Sequence, residues 1–135
     1  MPGFSRSSVE QMLAADAFAR SLGVELISVD DDEIVVGLEV RPDHLNFLDV
    51  GHGGMVFSLA DCAFSLGANA AGDRAVAIDT HLVLTAASRL GDRLQARVTE
   101  ASRGRTIGTY RVDVSREDGR RVGLFTGTVH ITPAG

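Results

Sequence analysis

The sequence predicts an α+β fold in which an antiparallel β-sheet wraps around one long central helix. Three observations point to it. Residues 53 to about 71 are apolar or small on nearly every side, which is typical of a helix that is buried all round. Six strand-like runs flank this helix, two before it and four after it. Turn residues separate the runs, and 135 residues suit one compact core, so we expect a single domain over residues 1–135.

The N-terminal part predicts a short amphipathic helix followed by a β-hairpin. Ser7-Ser8-Val9-Glu10 has the form of a capping box, and Gly23 stands where such a helix would end. Residues 24–29 and 34–40 are rich in β-branched side chains and lie on either side of three consecutive aspartates. In the second run apolar residues alternate with less apolar ones, which is the period of a half-buried strand.

A loop, the central helix and four strands complete the prediction. Pro42 breaks the second strand, and residues 43–52 have no clean period, so we expect a loop that carries polar groups. Gly72 is the expected end of the central helix. The four strand-like runs that follow are residues 75–84, 93–100, 106–116 and 120–132. The exposed edges of such a sheet are expected to pair with a second copy of the chain.

Composition and charge exclude several classes of protein. A net charge of −5 argues against a nucleic-acid partner, because such proteins need surplus cations facing phosphate. The single cysteine, Cys62, excludes an intrachain disulfide, and the four histidines lack ligand spacing, so no metal site is expected. No apolar run approaches the ~20 residues that cross a bilayer, and residues 1–20 do not have the pattern of a secretory signal. We therefore expect a cytoplasmic protein with no membrane partner.

Asp61 is the most informative residue, because an ionised carboxylate inside an apolar helix carries a desolvation cost. One interpretation is a catalytic general base or nucleophile whose basicity rises with partial burial. The alternative is a charge directed toward solvent or toward a salt bridge. Ser65 lies one turn later on the same face and could hold a water for Asp61. It could equally bond its own backbone.

The start of the central helix, His52-Gly53-Gly54, is a candidate oxyanion site. Unpaired N–H groups and the positive end of the helix dipole lie at such a turn. Asn46 and His52 could orient a water or a substrate oxygen beside it, although an Asx turn and a capping role are the structural alternatives.

Helix geometry then predicts the assembly. Gly53 and Asp61 are eight residues apart, which places them about 12 Å apart along the axis. A reacting atom must lie about 3 Å from both groups, so we expect each site to combine two antiparallel chains.

The basic residues are all arginine and are unevenly distributed. Residues 1–88 contain four arginines and thirteen acidic residues, whereas residues 89–135 contain nine arginines and five acidic residues. The planar guanidinium suits bidentate contact with phosphate, so this part could hold a phosphorylated ligand; a solvated sheet face is the alternative. The best-placed candidates are Arg103 and Arg105, in the expected turn that ends at Thr106.

The segment from His44-Leu45-Asn46 through His52-Gly53-Gly54 to Ser58-Leu59-Ala60-Asp61 resembles the hotdog-fold acyl-CoA thioesterases of the phenylacetic-acid-degradation (PaaI) type. The resemblance covers nearly the whole chain. It implies dimers with a continuous sheet, and usually homotetramers. It also implies that Asp61 is the catalytic carboxylate, that the Gly53 N–H polarises the thioester carbonyl, and that Asn46 and His52 are the polar groups beside it. Coenzyme A would be a carrier of substrate and not a cofactor.

One segment and one single residue depart from the family pattern. Residues 47–51 read Phe-Leu-Asp-Val-Gly where the family is usually polar and glycine-rich, which affects the expected acyl pocket. Ala77 stands where some relatives have a serine or threonine that holds water, so Asp79 or Ser65 would have to replace it.

The expected function is hydrolysis of an acyl-CoA thioester, with an aryl, phenylacetyl or medium-chain acyl group. One alternative is an enoyl-CoA hydratase of the same fold, but the central helix lacks the histidine after its start that such an enzyme would pair with the acid. The other is a non-catalytic acyl-CoA-binding protein, and the presence of Asp61 argues against it.

Overall fold

The computed structural model describes residues 5–133 and contains one antiparallel sheet folded around a central helix. The helices are α1 (Arg6–Ala15), α2 (Ala17–Leu22) and α3 (Gly53–Asn69), with a short 3-10 turn at Pro42–His44. The strands are β1 (Glu25–Val29), β2 (Glu33–Glu39), β3 (Arg74–Leu84), β4 (Arg93–Arg103), β5 (Ile107–Arg116) and β6 (Arg121–Thr132). Their order in the sheet is β1-β2-β4-β5-β6-β3. The predicted α+β hotdog arrangement is confirmed.

The N-terminal prediction was wrong in one respect, since the single expected helix is two helices. The Asp16 side chain accepts a hydrogen bond from the Ala19 N–H at 3.0 Å and so begins α2 where α1 ends. An aspartate that bonds nearby backbone competes with helix continuation. The cap of α1 is Ser5, whose hydroxyl oxygen accepts from the Ser8 N–H, and not the expected Ser7. Gly23 ends α2 at φ +82°, as predicted.

Helix α3 is buried against the concave face of the sheet, as its composition predicted. Along β4, Leu94, Ala96 and Val98 are buried while their neighbours face outward, which is the alternation expected of a half-buried strand. Phe64 of α3 packs against Phe125 of β6, with ring centroids 5.4 Å apart. This packing fixes the orientation of α3, and with it the outer face on which the candidate site residues lie.

Strand β3 is one edge of the sheet, and its surface is unusually apolar. Four large hydrophobic residues on it are 46–60% exposed: Val76, Ile78, Val83 and Leu84. An edge strand of 11 residues presents a long row of unpaired backbone groups. Both features favour pairing with another strand. Among residues 5–133, no helix combines the length and the apolar character that a membrane crossing requires.

Candidate active site

The loop before α3 is held in one conformation by Asn46. Its Oδ1 atom accepts hydrogen bonds from the Leu48 N–H at 2.9 Å and the Val50 N–H at 3.3 Å. Its backbone N–H donates to the Val50 carbonyl, and its carbonyl accepts from the Asp49 N–H. Asp49 adopts φ +59°, a left-handed conformation that this bonding maintains. Asn46 therefore has the loop-forming role that the sequence left open as an alternative.

The turn that opens α3 leaves one backbone donor free. The His52 Nδ1 atom accepts from the Gly54 N–H at 2.8 Å, and the His52 carbonyl accepts from the Met55 N–H at 3.0 Å. Within residues 5–133, the Gly53 N–H donates no hydrogen bond. It is the first N–H of a 17-residue helix, so the helix dipole adds to its attraction for a negative oxygen. His52 thus acts as a cap that presents the Gly53 donor.

A cleft of about 390 Å³ lies beside this donor. Asn46 and Gly51 of the preceding loop and Gly53 and Val56 of α3 line it. Residues 84–88, from the last residue of β3 onward, complete the lining. Apart from Asn46, Thr85 and Ser88, the lining residues are glycine or apolar. The cleft can therefore receive a largely apolar group and bring a carbonyl oxygen to the helix start.

Asp61 lies in the middle of α3 and is partly buried. Its carboxylate makes no hydrogen bond or ion pair with the residues that the structure describes, so no salt bridge forms there, and a charge directed toward solvent stays the structural alternative. Burial raises the pKa of Asp61 above its usual value, and the nearby negative charge of Asp16 raises it further. A carboxylate with raised basicity and no partner is suited to accept a proton or to attack a carbonyl.

The structure does not bring Asp61 and Gly53 together within one chain. Both are on α3, so the helical rise separates them by about 12 Å, and they point about 80° apart around the axis. Asp61 is not among the residues that line the cleft. Ser65 is exposed on the same face of α3 as Asp61. Ala77 and Asp79 are exposed on the edge strand β3.

The arginine candidates lie at the far end of α3 and differ from each other. Arg103 is the last residue of β4 and not a turn residue as predicted, because the strand continues past a register shift after Glu100. It donates to the Ala68 carbonyl at 3.1 Å and to the Tyr110 hydroxyl. It also donates to an Asp73 carboxylate oxygen at 3.3 Å. Its side chain is 16% exposed, so it ties α3 to the sheet.

Arg105 and Thr106 lie in the short connection between β4 and β5, residues 104–106. Arg105 is exposed, and the Thr106 carbonyl accepts a hydrogen bond from the Ile131 N–H at 2.8 Å. Of the two predicted arginines, Arg105 is the exposed one and Arg103 is half-buried. Ala68, which Arg103 contacts, is about 20 Å from the Gly53 donor along the axis of α3.

Two residues near the site were not identified from the sequence. Asp16 contributes to the raised pKa of Asp61, and its sequence signal was that of a helix N-cap in the middle of an apparent helix. Ser88 is 2% exposed, lines the cleft, and its hydroxyl has no hydrogen-bond partner within residues 5–133. No local sequence signal distinguishes Ser88, because its contact with Gly51 joins segments 37 residues apart.

Cys62 is buried, and burial raises the pKa of its thiol to about 12, so it is a packing residue.

The chain is similar to known thioesterases in sequence and in fold. The Thioesterase superfamily profile matches residues 48–123. The acyl-coenzyme A thioesterase PaaI of Escherichia coli is 34% identical over 119 residues, which are 88% of this chain and 85% of that protein. The structure of the E. coli PaaI protein from the phenylacetic acid degradation operon superposes with a TM-score of 0.90 at 32% identity, covering 95% and 93% of the two chains. A hypothetical thioesterase of Streptococcus pneumoniae, solved with coenzyme A, superposes at 0.77 with 28% identity, covering 82% and 89%.

Proposed function

Since the chain belongs to the thioesterase superfamily, we propose that it is an acyl-CoA thioesterase, which hydrolyses a CoA thioester to a free acid and coenzyme A. One observation carries the proposal: a free backbone donor at Gly53 opens a helix whose middle holds Asp61, an unpaired carboxylate of raised basicity. Coenzyme A as the carrier is supported by the name of the E. coli relative and by the S. pneumoniae structure.

The Gly53 N–H stabilises the negative oxygen that forms when the thioester carbonyl is attacked. Asp61 supplies the attack by one of two routes: it takes a proton from water, or its carboxylate attacks the carbonyl carbon and forms an anhydride that water then hydrolyses. In both routes the carbon–sulfur bond breaks and coenzyme A leaves as a thiolate. The thiolate takes its proton from protonated Asp61 in the first route and from water in the second. Asn46 and His52 hold the loop and the helix start on either side of the donor.

The catalytic unit is a homodimer, because one chain cannot place both groups on one carbonyl. Pairing of two β3 edges would continue the sheet and set two α3 helices side by side in opposite directions. Gly53 of one chain would then face Asp61 of the other. The exposed apolar residues of β3 support this interface. A homotetramer of two such dimers, and a cytoplasmic location, stay predictions.

The acyl group is aryl, phenylacetyl or medium-chain. Support comes from the apolar wall that Val56, Leu84, Ala86 and Ala87 give the cleft, and phenylacetic acid degradation is the context of the E. coli relative's structure. At the nucleotide end, exposed Arg105 is the candidate phosphate contact, with Thr106 beside it. Ser65, one turn from Asp61, is the candidate for holding the attacking water.

Turnover of a panel of CoA thioesters tests the proposal. The purified protein is given acetyl-, hexanoyl-, decanoyl-, benzoyl- and phenylacetyl-CoA, and free thiol is measured. We expect hydrolysis of the larger esters by the wild type and by a control, Glu117→Gln, in the exposed β5–β6 turn. The Asp61→Asn variant should lose at least ~100-fold in kcat. Absence of hydrolysis across the panel would contradict the proposal.

A further inference from the structure

Asp16 begins α2 and lies beside the middle of α3. Its Oδ1 atom accepts from the Ala19 N–H at 3.0 Å, the one hydrogen bond that its side chain makes within residues 5–133. The rest of α2 packs against the first turns of α3, around a cleft lined by Phe18 and Leu22 on α2 and by Gly54, Met55 and Ser58 on α3. Asp61 follows Ser58 by about one helical turn. The start of α2 therefore lies next to the turn of α3 that carries Asp61.

The charge of Asp16 acts on two adjacent residues of that turn. Burial raises the pKa of both Asp61 and Cys62, and the charge of Asp16 raises both further. At Cys62 the effect of Asp16 exceeds that of the adjacent Asp61. Asp16 is itself partly buried, so water does not fully screen its charge. The Asp16 carboxylate is thus held close to α3 and not turned to bulk solvent.

Within residues 5–133, no cation pairs with Asp16 or with Asp61. The elements beside this face of α3 carry other ionisable groups, namely Arg6 and Glu10 on α1, Arg20 on α2, Asp79 and His81 on β3, and Asp43, His44 and His52 in the loop. The buried residues on the strands beneath α3 include one ionisable group, Tyr110, which bonds Arg103 and Glu100. None of these groups contributes to the raised pKa of Asp61, whereas Asp16 does. The two carboxylates therefore form a like-charge pair across the α2–α3 contact.

Capping alone does not require a charge at the start of α2. Asparagine and serine cap a helix as well as aspartate does, and Ser5 caps α1 in this chain. A second carboxylate beside a catalytic one raises the proton affinity of the first and makes it a stronger base. We propose that Asp16 is a positioning residue for thioester hydrolysis: its charge, fixed against α3 by the cap bond, raises the pH at which Asp61 becomes active and strengthens Asp61 as a base or nucleophile. This role rests on the proposed function.

The pH dependence of hydrolysis tests this role. Asp16→Asn removes the charge and keeps the cap. The matched control is Asp30→Asn, because the Asp30 side chain also accepts backbone N–H groups, at Asp32 and Glu33 in the β1–β2 turn. We expect Asp16→Asn to lose ~2-fold in kcat near pH 7, and to retain at about pH 4.5 a ~2-fold larger share of its neutral-pH kcat/KM than the wild type retains. The control should match the wild type. A uniform loss of activity at both pH values would indicate a structural role and would overturn the proposal.

NMR gives a measurement that needs no substrate. The side-chain carboxyl carbon of Asp61 is titrated in protein that contains isotope-labelled aspartate, and its signal is assigned by its loss in Asp61→Asn. We expect the titration midpoint to lie at lower pH in Asp16→Asn, and in a second capping variant, Asp16→Ser, than in the wild type and Asp30→Asn. Equal midpoints in all four proteins would overturn the proposal. If no CoA ester were hydrolysed, the proposed function would fail by itself, and the midpoints would still decide whether Asp16 acts on Asp61.

Discussion

Replacing Gly51 by alanine should force the active-site loop away from the segment that follows β3. A Cβ atom at Gly51 would lie 1.9 Å from the Ser88 hydroxyl oxygen and 3.1 Å from the Met55 methyl carbon. The two segments cannot simply separate, because the Gly51 N–H donates to the Ser88 carbonyl at 2.7 Å. Overpacking of this kind costs about 1–3 kcal/mol. It should also lower kcat/KM, since Gly51 and Ser88 both line the catalytic cleft.

A second substitution, Ser88→Ala, tests whether the Ser88 hydroxyl causes the Gly51→Ala stability penalty. Ser88→Ala removes the clashing oxygen and leaves the new Cβ 3.1 Å from the Met55 methyl carbon and 3.3 Å from the Cβ of residue 88. Both contacts are tight, but a shift of a few tenths of an ångström relieves them. Alone, Ser88→Ala should change stability by less than about 0.5 kcal/mol, because its hydroxyl has no partner among residues 5–133. The Gly51→Ala penalty should therefore shrink by about 1–2 kcal/mol in the Ser88→Ala background.

Urea unfolding of the wild type, both single variants and the double variant measures this coupling, with kcat/KM determined for each. A Gly51→Ala penalty of the same size in both backgrounds would refute the reasoning. So would a stable, fully active Gly51→Ala protein. Either result would mean that the loop and residues 85–88 are not packed against each other as described.

Three further predictions concern ionisable groups. Burial and Asp16 raise the pKa of Asp61, so ionisation of Asp61 destabilises the fold. The stability of the wild type should therefore fall relative to that of Asp61→Asn as pH rises from about 4 through the folded-state pKa. Thermal unfolding of both proteins between pH 4 and 8 measures the direction of this change. Arg105→Ala should raise KM several-fold for a full CoA ester but not for a pantetheine ester, whereas Arg103→Ala should lower the melting temperature. Cys62, with a thiol pKa of about 12, should react with iodoacetamide at pH 8 only after unfolding.

Hydrophobic periodicity was enough to predict the fold. A segment that is apolar on all sides must be buried, and α3 lies within one residue or two of the expected limits. The half-buried strand expected at residues 34–40 was wrong, because residues 34–38 of β2 are all buried, Val35 included, with α1 and β1 packed beside them; β4 is the strand that alternates. Asp61 could be selected because a charge in such a helix is costly, and the His52-Gly53-Gly54 turn because a helix start leaves N–H groups unpaired.

Contacts between distant segments could not be predicted in this way. Arg103 resembled an exposed turn residue, but its partners at Ala68, Asp73 and Tyr110 meet it only after α3 has packed on the sheet. The influence of Asp16 on Asp61 likewise depends on how α2 lies against α3. The break at Asp16 was missed because the side chain's capping bond outweighs a continuous helical pattern.

Mixing two inactive variants tests the shared active site most directly. Asp61→Asn removes the carboxylate, and Gly53→Pro removes the backbone donor. Proline is tolerated at the first helical position, and His52 before it already has the extended φ −64°, ψ 135° that a residue preceding proline prefers. Random exchange makes half of the dimers mixed, and each mixed dimer has one complete site, so an equimolar mixture should regain about a quarter of wild-type activity. No activity above that of the separate variants, with subunit exchange verified by mass spectrometry, would contradict a site built from two chains.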